Sequence, residues 1–272
     1  MGLLSERDDN TLELSIDLDD GININTNNCV MIAGPCAVES RDQIMRSADF
    51  MAEMGVKIFR AGAFKPRTDP YKFQGSGSKG LQWLEEIRSQ YGLKIISEVT
   101  DFTNFKEVSE VVDILQIGAK AMYNHALLRE SGKSAKPVLL KRFFAATVDE
   151  LLKMADYILL NGNENLILCE RGIRTFEPST RFTLDLCGAV MIKERSHLPL
   201  FLDPSHAMGK SFGVSRLAMA CAAMGCEGLM IEVHPEPGEA RCDQDQALSH
   251  GEFKELYPKL NRICNEIGRE LV

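Results

Sequence analysis

Short apolar runs alternate with longer amphipathic stretches along the chain from residue 29 onward. The apolar runs predict eight β-strands, at residues 29–33, 56–60, 93–97, 114–117, 137–141, 165–169, 199–202 and 228–233. Helical patterns lie between them, among others at residues 41–54, 80–90, 148–160, 214–224 and 252–269. Near-continuous apolar strands that each lead to a helix are typical of a parallel sheet covered on both faces. Eight such units favour an α/β fold, a closed (β/α)8 TIM barrel, over an open doubly wound sheet.

The first 28 residues follow a different pattern. Residues 11–18 read TLELSIDL, with apolar and polar side chains in alternation, and residues 22–25 alternate again after an Asp-Asp-Gly turn. This pattern predicts a β-hairpin that caps the amino-terminal end of the barrel. We therefore expect an N-terminal extension with the hairpin cap at residues 1–28 and a single catalytic barrel at residues 29–272.

Charged residues follow the predicted strands at their carboxyl ends, where barrel enzymes carry their active sites. Cations dominate this set, which contains Arg60, Lys65, Lys120, Lys141, Arg142 and Arg171. So many like charges at one mouth would repel each other unless a polyanion lay among them. A substrate that carries both phosphate and carboxylate groups fits this requirement.

The densest cationic segment follows the second predicted strand and reads RAGAFKPRTDPYKFQGSG, residues 60–77. Its Arg and Lys side chains can bind phosphate or carboxylate, and Arg67 and Thr68 lie near its centre. Pro66 and Pro70 stiffen the loop, so less order must be imposed when a ligand binds. The alternative is a solvated surface loop. The charged residues at the other strand ends favour the anion site.

A second group, Cys36, His206, Glu232 and Asp243, combines a thiol, an imidazole and two carboxylates. This donor set suits a divalent first-row metal ion such as Mn²⁺, Fe²⁺, Co²⁺ or Zn²⁺. The residues are far apart in the sequence, but the first, seventh and eighth strands of a closed barrel are neighbours. Taken singly, Cys36 is also consistent with a buried structural thiol and His206 with a core histidine.

Composition and charge limit the kinds of binding partner and the cellular compartment that we expect. The 272-residue chain has a formal net charge of −8, which argues against a nucleic acid held by bulk electrostatics. The eight cysteines form no CxxC pair, and the first residues show no basic-then-apolar signal pattern. No apolar run approaches the length of a membrane span, so no membrane partner is expected. We expect a cytoplasmic protein with reduced thiols.

Seven sequence motifs, taken together and in their order along the chain, resemble those of one family. They are IAGPCAVES (32–40), FRAGAFKPRTDPYKFQG (59–75), ILQIGAK (114–120), KPVLLKR (136–142), GNENLILCERGIRTFE (162–177), LDPSH (202–206) and EVHPEP (232–237). The chain resembles 3-deoxy-D-arabino-heptulosonate 7-phosphate (DAHP) synthase in its short type I-beta form, without a regulatory domain. The resemblance implies a transferase that joins phosphoenolpyruvate to erythrose 4-phosphate and releases phosphate, with one divalent metal ion. This reaction opens the shikimate pathway.

The resemblance also implies roles for residues at matching positions. The metal ligands would be Cys36, His206, Glu232 and Asp243. The substrate-binding residues would be Arg60, Lys65, Arg67, Thr68, Lys120, Lys141, Arg142, Arg171 and Asp203, with the KPRT segment on the aldose phosphate. The catalytic residues would be Lys65, Glu98, His206 and Cys36. Glu98 would orient the water that attacks C2 of phosphoenolpyruvate.

Some positions depart from the family pattern. Lys120 stands where Arg is usual, Phe143 where Gly is usual, and Ala207-Met208 where small residues or proline are usual. These departures are consistent with a different sugar substrate. A sister family makes 3-deoxy-octulosonate 8-phosphate from arabinose 5-phosphate. That family carries a KANRS-type segment where this chain has KPRT. Another alternative is a catalytically silent homologue that regulates a partner such as chorismate mutase.

Relatives of this kind assemble, so we expect a homodimer or a homotetramer. Appended regulatory domains occur in some relatives, and we find no such domain in this sequence. We therefore expect no feedback by aromatic amino acids through the chain itself, and any such control would come from a partner such as chorismate mutase.

Overall fold

Parallel strands form a closed barrel in the computed structural model, which describes residues 3–7, 14–67 and 69–272. An antiparallel hairpin of β1 (Ile16–Asp17) and β2 (Asn23–Ile24) precedes the barrel. The barrel strands are β3 (Asn28–Gly34), β4 (Ile58–Arg60), β5 (Lys94–Val99), β6 (Ile114–Ile117), β7 (Val138–Lys141), β8 (Leu166–Glu170), β9 (Leu200–Leu202) and β10 (Gly228–His234). Each pairs with the next, and β10 pairs with β3, which closes the ring.

Helices cover the outside of the barrel. They are α1 (Arg41–Glu53), α2 (Gly77–Tyr91), α3 (Phe102–Val111), α4 (His125–Gly132), α5 (Val148–Leu159), α6 (Leu186–Arg195), α7 (Pro204–Met208), α8 (Ser211–Met224) and α9 (His250–Glu266). Side-chain caps set where several begin, with Ser40 before α1, Asp101 before α3 and Thr147 before α5. No helix in the described ranges has both the length and the apolar character needed to cross a membrane.

The structure confirms the predicted TIM barrel and its N-terminal hairpin. Each barrel strand begins and ends within two residues of its predicted bounds. Two further strands were not predicted, β11 (Leu248–Ser249) beside β10 and β12 (Glu270–Leu271) beside β3, because two-residue strands carry no periodicity. Residues 11–13 of the predicted hairpin lie outside the described residues, and the domain division at residue 28 stays a prediction.

The hairpin plugs the amino-terminal end of the barrel. Its apolar side chains, Ile16, Leu18, Ile22 and Ile24, form one buried cluster with the barrel interior residues Val30, Ile32, Ile58, Ile96, Ile114, Leu139, Ile167, Cys169, Phe201 and Met230. Lys94 Nζ at the start of β5 lies 2.8 Å from Asp20 Oδ2 in the hairpin turn. A second and larger apolar cluster fills the space between the strands and the helices.

The barrel interior changes from apolar to polar along the strands. Side chains alternate between the two faces of a strand, so the residue two positions after an interior residue also faces the interior. The successive interior pairs include Ile58 and Arg60, Ile96 and Glu98, Ile114 and Gln116, Leu139 and Lys141, Phe201 and Asp203, and Met230 and Glu232. An apolar floor therefore lies beneath a polar layer at the carboxyl end of the barrel.

We expect Ile24→Ala to lower the free energy of unfolding by about 2–5 kcal/mol, because it leaves a cavity where the hairpin meets the barrel interior. Ile24 is fully buried. Urea denaturation followed by circular dichroism measures the change. Val190→Ala, at a side chain that is 53% exposed, is the control and should change the free energy by less than about 0.5 kcal/mol. Equal effects at the two positions would contradict the packing of the hairpin as a plug.

Candidate active site

A cavity of about 260 Å³ opens at the carboxyl end of the barrel, above the polar layer. We call it the inner cavity. It is lined by Arg60, Lys65, Pro66, Arg67, Asp69, Lys72, Glu98, Gln116, Gly118, Ala119, Lys120, Lys141, Arg171, Arg181, His206 and Asp243. Eight of these residues are Arg or Lys and three are Asp or Glu. The inner cavity therefore favours an anionic ligand, although the whole protein is acidic.

Cys36, His206, Glu232 and Asp243 come together beside the inner cavity, and one potential ligand atom from each lies within 4.8 Å of the others. Cys36 Sγ lies 3.1 Å from Asp243 Oδ2. His206 Nε2 lies 3.4 Å from Glu232 Oε1 and 3.8 Å from Asp243 Oδ2. The structure thus brings together the four residues that the sequence grouped. We call them the ligand cluster.

Neighbouring elements supply the ligand cluster. Cys36 follows β3, and Glu232 lies in β10 opposite Gly34 of β3. His206 lies in α7, a short helix whose first turn is capped by the Asp203 side chain. Asp243 has a φ of 54°, a left-handed conformation that Asp tolerates better than most residues. Closure of the barrel between its first and last strands therefore brings these side chains to one place.

The protonation of the ligand cluster suits a metal ion. Burial lowers the pKa of His206 and favours the neutral imidazole that binds metals. Burial alone would raise the pKa of Glu232, but His206 and Arg60 outweigh it and lower this pKa. A hydrogen bond between Cys36 and Cys242, with 3.1 Å between the sulfurs, and burial raise the pKa of the Cys36 thiol. Metal binding would displace its proton. The donor set fits one divalent first-row ion.

The buried cations of the inner cavity have different partners. Arg60 pairs with Glu232, and Lys141 Nζ lies 2.6 Å from Asp203 Oδ2. In contrast, Arg171 Nη1 is among the buried side-chain atoms of the described ranges that have no hydrogen-bond partner. Burial lowers the pKa of this guanidinium, although Asp203 opposes the shift. A phosphate in the inner cavity would supply the missing acceptor.

Lys65 and Glu98 lie together in the inner cavity. Lys65 Nζ lies 3.6 Å from Glu98 Oε2 and donates a hydrogen bond to the Cys36 carbonyl at 3.2 Å. Burial opposes the charge of Lys65, but Cys36 and Glu98 raise the pKa of its ammonium group above the ordinary value. Gly118 makes room for Glu98, since a Cβ at Gly118 would lie 1.9 Å from Glu98 Oε1. A side chain at residue 118 would therefore displace this carboxylate.

The structure does not support the predicted substrate contact of Arg142. This residue is not among the described residues that line the inner cavity. It follows the interior residue Lys141, so alternation along β7 directs it to the outer face of the strand. There Arg142 Nη1 lies 3.0 Å from Glu170 Oε2 and 2.8 Å from Asp185 Oδ2. Its guanidinium therefore joins β7, β8 and the start of α6.

Asp203, also predicted to bind substrate, lies fully buried behind the inner cavity. Its Oδ2 lies 2.7 Å from His206 Nδ1 and 2.6 Å from Lys141 Nζ. Burial alone would raise the pKa of Asp203, but His206 and Lys141 hold it well below its usual range. Asp203 is thus an ionised carboxylate that orients two residues of the site.

The lining of the inner cavity includes residues beyond the candidates predicted from the sequence. Gln116 is the polar residue in the otherwise apolar strand ILQI, and that contrast is a signal that could have identified it. Lys72 lies in the cationic segment already described. Arg181 lies in the loop between β8 and α6, where no strand periodicity indicates which way a side chain points.

A second cavity, of about 710 Å³, adjoins the first, and we call it the outer cavity. The two cavities share Arg67, Lys72, Arg181 and Asp243. Thr68, which the sequence places beside Arg67 in the site, lies outside the described residues. An anion held between the two cavities would meet three cations and lie beside the ligand cluster.

Comparison with known proteins tests the resemblance of the motifs. The sequence model of the DAHP synthetase I family matches residues 13–268. The chain is 46% identical over 253 residues to a phospho-2-dehydro-3-deoxyheptonate aldolase of Thermotoga maritima, covering 93% of this chain and 75% of that protein. The crystal structure of the DAHP synthase from Thermotoga maritima superposes with a TM-score of 0.96 at 43% identity, covering 99% of this chain and 79% of that one.

A truncated form of 3-deoxy-D-arabino-heptulosonate 7-phosphate synthase from the same organism gives a TM-score of 0.89 at 42% identity, covering 96% of this chain and 95% of that one. A 2-dehydro-3-deoxyphosphooctonate aldolase of Magnetococcus marinus is more distant, at 30% identity over 86% of each chain. These identities favour the heptulosonate interpretation of the motifs over the octulosonate alternative. The chain belongs to the DAHP synthetase I family.

Proposed function

We propose that this protein is a DAHP synthase, which condenses phosphoenolpyruvate with erythrose 4-phosphate to give 3-deoxy-D-arabino-heptulosonate 7-phosphate and phosphate. The observation that carries the proposal is the ligand cluster beside a cavity lined by eight Arg and Lys residues. Both substrates are anions, and one has an aldehyde that a metal ion can polarise. The homodimer or homotetramer and the chorismate mutase partner implied by the resemblance stay predictions.

The proposed metal ligands are Cys36, His206, Glu232 and Asp243. A divalent ion held there would supply Lewis acidity toward the aldehyde oxygen. Mn²⁺, Fe²⁺, Co²⁺ and Zn²⁺ all suit this mixed donor set, and cellular supply decides which one is bound. Asp203 supports the assignment because its contact with His206 Nδ1 leaves Nε2 for the ion.

We assign phosphoenolpyruvate to the inner cavity. Its phosphate and carboxylate would be held by Arg60, Lys65, Lys120, Lys141 and Arg171. The unpartnered Nη1 of Arg171 supports a contact with phosphate, for which the planar guanidinium is well suited. Several cations from different strands also fix the orientation of the substrate, and such positioning supplies much of the rate enhancement in reactions of two substrates.

We assign the phosphate of the aldose to Arg67, where the inner and outer cavities meet, and to Thr68, the next residue in the sequence. The support comes from Arg67, which lines both cavities. Lys72 also lines both and adds a second cation within reach of the same anion. Asp243 is shared by the two cavities as well, so the aldehyde end of the sugar would face the ligand cluster.

The chemistry begins with attack of C3 of phosphoenolpyruvate on the aldehyde carbon. Positive charge develops at C2, where water adds and loses one proton. The C–O bond to phosphate then breaks as the remaining hydroxyl at C2 becomes the ketone, and the hydroxyl proton leaves with the phosphate. We assign Glu98, which lines the inner cavity, to the orientation of that water. Lys65 remains protonated because its pKa is raised, and an alkoxide is basic enough to take a proton from its ammonium group.

We expect release of phosphate when the protein is incubated with phosphoenolpyruvate, erythrose 4-phosphate and Mn²⁺. Chelator treatment should abolish the release and added Mn²⁺ should restore it, because the ligand cluster holds the ion. A colorimetric phosphate assay, run in parallel with arabinose 5-phosphate, measures both outcomes. Release with arabinose 5-phosphate alone would assign the chain to the octulosonate reaction. No release with either sugar would favour the silent homologue.

Arg142→Met tests whether Arg142 stabilises the fold and does not bind substrate. We expect the free energy of unfolding to fall by about 3–5 kcal/mol, because the buried Glu170 loses its cation. The KM for phosphoenolpyruvate in the folded variant should not change. The matched variant Lys141→Met, one residue earlier and inside the cavity, should lower kcat/KM by about 100-fold. Chemical denaturation and steady-state kinetics measure the two effects.

The stability loss in Arg142→Met should also depend on pH. Burial raises the pKa of Glu170, and Arg142 opposes that rise. Without Arg142, the folded-state pKa rises further above the unfolded value, so the folded variant binds a proton that the unfolded chain lacks. The loss relative to wild type should therefore be smaller at about pH 5 than at about pH 8. A loss of unfolding free energy that is independent of pH, together with a raised KM for phosphoenolpyruvate, would support the predicted substrate contact of Arg142.

A further inference from the structure

Each carboxylate of the ligand cluster has one oxygen engaged away from the other ligands. Glu232 Oε2 accepts a hydrogen bond from Gln246 Nε2 at 2.5 Å, and Asp243 Oδ1 lies 3.0 Å from Arg181 Nη1. The opposite oxygens face inward. Glu232 Oε1 lies 3.4 Å from His206 Nε2 and also pairs with Arg60, and Asp243 Oδ2 lies 3.8 Å from the same nitrogen. Two side chains outside the ligand cluster therefore occupy the outer oxygens of both carboxylates.

Gln246 joins these two contacts into one chain of hydrogen bonds. Its Oε1 accepts from Arg181 Nη1 at 2.6 Å, while its Nε2 donates to Glu232. Only this orientation of the amide satisfies both neighbours, because the reversed amide would place oxygen against carboxylate and NH₂ against guanidinium. Gln246 is 1% exposed, so water has little access to its amide group.

The backbone holds both side chains in place. The Gln246 N–H donates to the Asp243 carbonyl at 3.1 Å, in the turn that follows the left-handed conformation of Asp243. The Arg181 N–H donates to the Met208 carbonyl at the end of α7, the helix that carries His206. Gly209 allows this approach, since a Cβ at Gly209 would lie 2.4 Å from Arg181 Cβ.

We propose that Gln246 and Arg181 are positioning residues that hold Glu232 and Asp243 as one-oxygen ligands of the metal ion. This inference rests on the proposed function, because it requires a metal ion at the ligand cluster. With one oxygen from each carboxylate, the protein supplies four donor atoms instead of up to six. Positions on the ion then stay available for a substrate oxygen, as in catalytic metal sites generally.

The test measures metal binding to the apoprotein of Gln246→Met and Arg181→Met. We expect the Kd for Mn²⁺ to rise by about 10–100-fold in each, from the electron paramagnetic resonance signal of free Mn²⁺. The direction of the change in Kd is informative for Arg181→Met. By charge alone, removal of one cation should tighten the binding of another cation and lower the Kd. Asn163→Leu is the control, since Asn163 is a buried amide that bonds to the Ser131 and Lys136 carbonyls away from the ligand cluster.

Absorption of bound Co²⁺ gives a second readout that a general loss of structure would not produce. A carboxylate released by Gln246→Met can bind through both oxygens, which raises the coordination number and weakens the visible d–d bands per bound ion. The near-ultraviolet thiolate band should persist, because Cys36 still binds. Arg181 is 41% exposed in its side chain, so Arg181→Met keeps the test available if Gln246→Met fails to fold.

Different results would overturn the positioning role and the metal-dependent function. If wild type binds Mn²⁺ and both variants bind it equally well, the positioning role is wrong and the proposed function stands. Tighter binding by Arg181→Met would show that Arg181 acts only through its charge and would remove it from the proposal. If wild type binds neither Mn²⁺ nor Co²⁺, the metal-dependent function itself fails, and the positioning role fails with it.

Discussion

Pairing between β3 and β10 closes the sheet, and the whole candidate site depends on that closure. Cys36 follows β3 and Glu232 lies in β10, so the thiol and this carboxylate come from opposite ends of the chain. In an open sheet they would lie at opposite edges. His206 and Asp243 flank β10 from the preceding and following segments and complete the group. The ligand cluster therefore depends on the barrel topology and on no single segment.

Alternation along the strands then decides what the inner cavity contains. The apolar floor is sealed from below by the hairpin, and in most strands the next interior residue above it is polar. Buried cations in that layer need counter-ions when no anionic ligand is present. Glu232 provides one for Arg60, and Asp203 provides one for Lys141. Glu232, a member of the ligand cluster, and Asp203, which contacts His206, thus also neutralise buried cations.

The sequence predicts the barrel and most of the cavity lining, because apolar runs and charged strand ends are local signals. Arg142 shows what a local signal misses, since counting alternate residues from Leu139 would have separated it from Lys141. Gln246 and Arg181 lie in loops that have no periodicity. Their contacts with the ligand cluster depend on the left-handed backbone at Asp243 and on the end of α7, which only the folded chain brings together.

Arg181 also has a thermodynamic consequence for the two cavities that it joins. Its guanidinium contacts Asp243 and lines the outer as well as the inner cavity. If Arg181 positions Asp243 as proposed, an anion that draws Arg181 toward the outer cavity would change how Asp243 is held, and thereby the affinity for a metal ion. Linkage makes this effect reciprocal, so the ion changes the affinity for that anion by the same factor. Retention of a metal ion at the ligand cluster and capture of an anion at the outer cavity would then share one coupling free energy.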